Sequence, residues 1–238
     1  MIRLAAAGDL HFGADSRGRL RPALASLRGQ ADALLLAGDL TQTGEPEQAA
    51  ALAGELGTCP VPVIAVLGNH DYHAEREGEV RAVLAAAGVT VLEGGSTVMD
   101  VDGCRVGVVG AKGFGGGFVG SSGSEFGEPE MKAFVRSAKR AADRVERRLL
   151  ELEDAVDLRI VVLHYAPVRD TLRGEPPELF PFLGSYHLGE AIDRAGADLV
   201  VHGHAHRGTE KGVTPGGVEV RNVAQPVLGA PYQIYRFS

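Results

Sequence analysis

Apolar residues in this chain come in short runs that stop abruptly at glycine. "IRLAAAG" (2–8), "ADALLLAGDL" (31–40) and "VPVIAVLGNH" (61–70) each read as a strand buried on both faces, closed by Gly and then by polar residues. Between them, "RPALASLRGQ" (21–30) and "EPEQAAALAGEL" (45–56) carry helical spacing, and Pro46 suits a first helical turn. Residues 79–87 read as a third helix. Short strands follow around turns in "VTVLEGG", "STVMDVDG" and "CRVGVVGA" (89–111), with Asp102-Gly103 as a hairpin signal. From Pro129 to Glu153 the residues Met131, Phe134, Val135, Ala138, Ala142, Val145, Leu149 and Leu152 fall on one face of an amphipathic helix. "LRIVVLHYAP" (158–167) is a strand, a helix covers about 187–195, and another strand runs into "LVVHGHAH" (199–206). The C-terminal segment reads as two further strands. Strand–helix alternation of this kind signals α/β architecture in a single domain over 1–238.

The runs end in chemistry. "GDLH", "GDLT", "GNHD", "LHYAP" and "GHAH" each follow an apolar strand. In open α/β sheets, ligands bind at the carboxyl ends of the strands. Strands lying side by side would gather Asp9, His11, Asp39, Asn69, His70, His164, His204 and His206 there. Carboxylate, amide and imidazole form a mixed O/N donor set for a transition metal, with no soft sulfur. The donors outnumber what one tetrahedral ion uses, and two ions sharing a carboxylate would account for them. In an extended strand His202, His204 and His206 would share a face.

Charge and cysteine usage narrow the partners. A formal net charge of −7 argues against an extended nucleic-acid or membrane surface, though not against a local positive site created by bound metal. Two cysteines, Cys59 and Cys104, with no CxxC, fit free thiols in a reducing cytoplasm. No apolar run reaches the length of a membrane span.

Taken in order, D-x-H at 9–11, G-D at 38–39, G-N-H-D at 68–71, His164 and G-H-x-H at 203–206 resemble the calcineurin-like metallophosphoesterase superfamily. The resemblance implies a four-layer αββα sandwich, two mixed β-sheets flanked by helices. It implies two divalent metal ions, with Mn, Fe, Zn or Co all compatible. Asp9, His11 and His206 would hold one, Asn69, His164 and His204 the other, and Asp39 would bridge. His202 lies outside the signature and reads as a supporting or core residue. The implied activity is hydrolysis of a small or nucleotide-like phosphoester, as a phosphodiesterase or phosphatase, by a hydroxide bridging ions roughly 3.5–4 Å apart. His70 resembles the family's catalytic histidine and is the candidate general acid, with Asp71 to orient it.

Two departures separate the chain from the Ser/Thr protein phosphatase branch. "GDLTQTG" (38–44) lacks the Asp and Arg of G-D-x-V-D-R-G, and Asp71 stands where that branch has Glu. A DNA-repair-type nuclease of the same superfamily, or a non-catalytic metal-bearing scaffold, are the alternatives. "GAKGFGGGFVGSSGSEFGEPE" (110–130) is either a surface loop or a rim whose Lys112, Phe114 and Phe118 meet substrate. Arg169, Arg173 and Arg207 are either solvated loop charges or phosphate contacts.

Overall fold

The computed structural model describes residues 1–238. The chain begins β1 (Ile2–Ala7), α1 (Arg21–Ser26), β2 (Ala33–Ala37), α2 (Pro46–Leu56), β3 (Val63–Val66), α3 (Glu77–Ala86) and β4 (Thr90–Val91). A hairpin of β5 (Gly95–Val101) and β6 (Cys104–Ala111) follows, then a small ribbon, β7 (Gly117–Phe118) with β8 (Ser121–Ser122), and the long α4 (Pro129–Leu152). The second half runs β9 (Leu158–Leu163), α5 (Phe180–Leu183), α6 (Tyr186–Ala195), β10 (Leu199–His202), β11 (Lys211–Val213), β12 (Glu219–Asn222), α7 (Gln225–Leu228) and β13 (Gln233–Phe237).

Two large mixed sheets form, in the orders β13-β1-β2-β3-β4 and β11-β12-β10-β9-β6-β5. In the first, β1 to β4 are parallel and β13 is antiparallel to β1; in the second, β6, β9, β10 and β12 are parallel. The period of two along each strand sorts its side chains into layers. Leu4, Ala6, Leu35 and Ile64 of the first sheet meet Val106, Val108, Ile160 and Val201 of the second, forming the core between them. The alternate residues Ala5, Leu34, Leu36 and Ala65 pack on the opposite face against Leu24, Leu52, Leu56 and Leu84 of α1 to α3. Val109, Val161, Leu163 and Val200 pack likewise against Val145 and Leu149 of α4 and Leu188 and Ile192 of α6. This is the αββα sandwich. Strands covered on both faces read as unbroken apolar runs, which is why they were visible in the sequence.

Three details differ from the sequence-based expectation. Met131 is 45% exposed, because the buried face of α4 starts only at Val135. The strand entering "HGHAH" ends at His202, the last residue paired with β12, so the three alternate histidines do not share a face. The C-terminal third holds β11 and α7, both too short to show a periodicity.

Leu35 is fully buried between the sheets. Leu35→Ala is expected to cost about 2–5 kcal/mol, read as a lower midpoint in urea unfolding with an unchanged slope.

Candidate metal centre

The two sheets bring the ends of β1, β2, β3, β9 and β10 to one edge. The turns leaving them are tight, and glycine is needed where backbones cross. A methyl group on Gly68 would overlap Asp39, and one on Gly203 would overlap the Asp9 carboxylate. Asp9, His11, Asp39 and His204 adopt φ of 58°, 42°, 48° and 71°, a left-handed conformation unusual for residues with a side chain. Cross-bonds between the turns hold them there. Asp9 N donates to the Gly38 carbonyl and His11 N to the Asp39 carbonyl, both at 3.0 Å. His70 N donates to Asp39 Oδ1 at 2.8 Å, and His204 N to the Asp9 carboxylate at 3.0 Å.

The side chains converge in two groups. Donor atoms of Asp9, His11, Asp39 and His206 all lie within 4.8 Å of one another, as do those of Asp39, His164 and His204. Asp39 belongs to both. Asn69 joins the second group, its Oδ1 2.8 Å from His164 Nε2.

Proton placement in the second group suits a cation. His164 Nδ1 donates to the Ala37 carbonyl at 2.9 Å, which leaves Nε2 with a lone pair. Burial pushes the ring's pKa down to about 3, so it stays neutral. That lone pair faces Asn69 Oδ1 at 2.8 Å and Asp39 Oδ1 at 3.3 Å. Three acceptors meet with no proton among them, an arrangement that a cation resolves. His204 uses Nε2 on the Phe182 carbonyl at 3.1 Å, freeing Nδ1, and burial likewise lowers its pKa to about 3. Such backbone partners are the usual means of fixing a metal-binding tautomer. In the first group, His206 Nε2 is 2.9 Å from Asp9 Oδ1 and 3.5 Å from His11 Nε2. Burial raises Asp9 to about 6 against the opposing pull of His206, whose own pKa is raised mainly by that hydrogen bond. Neither Asp9 nor Asp39 is paired with a lysine or arginine. The donor set therefore fits divalent metal.

His70 stands at the rim, with its side chain 44% exposed. Its Nδ1 donates to the Gln42 carbonyl at 2.8 Å, and its Nε2 faces Asp39 Oδ2 at 3.9 Å. Asp71 does not orient this ring. Its buried carboxylate accepts from Leu40 N, Thr41 N, Thr41 Oγ1 and Gly68 N at 2.6–3.1 Å, tying the β2 turn to the β3 turn. Burial still raises its pKa to about 6. The sequence reading missed Gln42, whose contribution comes from its backbone and leaves no side-chain signature.

The remaining candidates separate. His202 is buried, with Nε2 2.8 Å from Thr171 Oγ1 and Nδ1 2.7 Å from the Gly203 carbonyl, and it supports the turn without facing the cluster. Lys112 lies beside His164, because its carbonyl accepts from His164 N and Tyr165 N. Phe114 stays near Lys112, whereas Phe118 is buried against Phe180 in a separate apolar cluster. Arg207 shares a cleft of about 230 Å³ with His204 and His206. Arg173 pairs with Asp170 and points to solvent. Arg169 packs over Phe180 and lines the largest cavity, about 570 Å³, whose walls include Phe118, Tyr186 and Val213 and none of the candidate ligands.

The family model of the calcineurin-like phosphoesterases matches residues 2–208. The chain belongs to that family. It is accordingly a metal-dependent phosphoester hydrolase. A search of curated proteins finds no match to it. Among solved structures it is similar to phosphopantetheinyl hydrolase from Mycobacterium tuberculosis, with a TM-score of 0.66 and 19% identity over 93% of this chain and 88% of that one. It is also similar to a putative 5′-nucleotidase from Staphylococcus aureus (TM-score 0.63, 18% identity, 93% of this chain and 48% of that one). The NAD nucleotidase of Haemophilus influenzae gives a TM-score of 0.56 and 15% identity over 99% of this chain and 49% of its own. The chain thus spans about half the length of the two nucleotidases. At these identities the likeness is one of fold. No helix is long and apolar enough to cross a membrane.

Asp71→Ala would strand three buried N–H groups. The expected cost is about 3 kcal/mol or more, with reduced metal uptake because the Asp39 and Asn69 turns lose their tie. Arg173→Ala, on a solvated pair, is expected to change stability by about 0.5 kcal/mol or less. Urea unfolding and metal analysis of both variants check this contrast.

Proposed function

We propose that the protein hydrolyses a small, nucleotide-like phosphoester at a dinuclear metal centre. The observation that carries this reading is the pair of donor clusters sharing Asp39. Asp9, His11 and His206 would hold one ion and Asn69, His164 and His204 the other, with Asp39 available to both. Nitrogen and oxygen donors without sulfur suit Mn, Fe, Zn or Co. Two bound cations supply an activated water and neutralise charge on the phosphoryl oxygens.

This chain's own residues do the rest. Two buried carboxylates on a protein of net charge −7 would repel a phosphoester, so metal occupancy is what makes the site receptive to an anion. The Gln42 carbonyl holds the His70 ring with Nε2 toward the centre, placed to give a proton to the leaving oxygen. The small cleft beside His204 and His206, together with the acidic surface, favours a compact substrate over an extended nucleic acid. The similar structures, a phosphopantetheinyl hydrolase, a putative 5′-nucleotidase and an NAD nucleotidase, support the same substrate class. Two free thiols support a reducing, cytoplasmic setting.

The test is a paired assay of metal-stripped, Mn²⁺-reloaded protein on bis(p-nitrophenyl) phosphate and p-nitrophenyl phosphate. Asp39→Asn is expected to lose both bound metal and activity. His70→Ala is expected to keep its metal and lose roughly 10²–10⁴-fold in kcat. Metal loss in the His70 variant would sink its assignment as proton donor. Full occupancy of both sites without hydrolysis of either ester would sink the catalytic reading and favour a metal-bearing scaffold.

A further inference from the structure

Lys112 is the first residue after β6, and its carbonyl accepts from both His164 N (3.1 Å) and Tyr165 N (3.0 Å). The lysine is thereby fixed against the start of the ligand-bearing loop after β9. Its ammonium sits among aromatic rings, 4.2 Å from the centroid of Tyr72, 5.5 Å from Phe114 and 5.9 Å from Tyr165. The Tyr165 ring in turn lies 4.5 Å from the His204 ring and 5.5 Å from the His164 ring. One tyrosine thus borders the cation and two candidate metal ligands together.

A half-buried lysine normally finds a carboxylate, because charge taken from water needs a counter-charge. Lys112 has only ring faces. The carboxylates whose charge reaches it most strongly are Glu93, Glu77 and Asp39. Glu93 already accepts from Leu67 N at 3.1 Å and from the Tyr72 hydroxyl at 2.6 Å. Asp39 accepts from His70 N and faces the candidate metal ligands. Quadrupoles of aromatic rings hold a cation in place without neutralising it. The charge therefore remains available to an anion entering beside the second group of ligands. Tyr72 closes the short turn that begins at His70, so the Lys112 ammonium packs on the same turn that carries the proposed proton donor.

We infer that Lys112 binds a second anionic group on the leaving side of the substrate, and that the substrate class is a diphosphate ester. The inference rests on the two-metal reading above. In this reaction water bonds to the phosphorus and releases one proton to solvent. The bridging P–O bond breaks, and the second phosphoryl group departs with that oxygen, which takes its proton from His70. Lys112 is a specificity-determining contact, adding attraction that a lone phosphoryl group does not use.

The test compares equilibrium binding of methylenediphosphonate and methylphosphonate, neither of which is hydrolysed, to Mn²⁺-loaded wild type, Lys112→Met and Lys112→Arg, with metal content measured in each. Wild type is expected to prefer the diphosphonate. Lys112→Met should shrink that preference at least tenfold at equal metal content, and Lys112→Arg should retain most of it. Equal weakening of both ligands would mean that Lys112 meets the scissile phosphoryl group, and would overturn the inference. A preference absent in wild type, or unchanged in Lys112→Met, would overturn it too, leaving the lysine a structural cation. Hydrolysis of bis(p-nitrophenyl) phosphate by the same wild-type preparation separates the outcomes. Turnover without the preference removes this inference alone, whereas no turnover with both sites loaded removes the catalytic reading.

Discussion

Asp9 and Asp39 are buried at the meeting point of two sheets, and neither carries a lysine or arginine partner. Charge in that position is costly unless something positive shares it. The surrounding imidazoles do not supply it fully, since burial holds His164 and His204 neutral. The demand for an external cation is thus built into the packing. Much of the local structure serves it: the backbone carbonyls that set the histidine tautomers, the glycines that let turns cross, and the placement of Asn69 against His164.

The turns themselves bear strain. Four candidate ligands hold left-handed backbone conformations that side chains disfavour, at a cost of roughly 1–2 kcal/mol each. Such conformations persist where the surroundings over-determine them. Here the surroundings are hydrogen bonds between turns that are distant in sequence, and Asp71 is the densest of these ties. Its position within "GNHD" looks like part of the chemistry, yet its carboxylate works as a buried crosslink. Proximity in a motif and proximity in space are different properties, and a carboxylate beside a histidine in sequence can face away from it.

The sandwich and the gathering of candidate ligands were legible because both rest on short-range patterns. Strands such as 33–37 and 199–202 are apolar on both faces, and each ends at the point where the pattern breaks into Gly, Asp, Asn or His. The supporting contacts were not legible. Gln42 acts through its carbonyl, so any side chain there would read the same. His202 was readable as a supporting residue because it lies outside the signature, but its partners, Thr171 and the Gly203 carbonyl, were not. Arg169 and Arg173 follow His164 closely, but a short turn at Asp170–Leu172 carries one onto Phe180 and the other into solvent. Phe118 was hidden in a glycine-rich tract whose composition suggests exposure, and only tertiary packing shows it to be core.

The origin of the candidate ligands has a consequence for assembly of the protein. Asp9, His11, Asp39 and Asn69 come from turns of the first sheet, and His164, His204 and His206 from the second. Each cluster draws on both sheets, so neither sheet alone offers a complete coordination sphere. During synthesis the first half of the chain can fold its βα units while lacking His164, His204 and His206, which emerge much later. Both donor clusters are complete only once the second half of the chain has been made. Once both sheets have docked, a bound ion favours their docked arrangement by mass action, joining the two halves of the sandwich at the edge where they do their work.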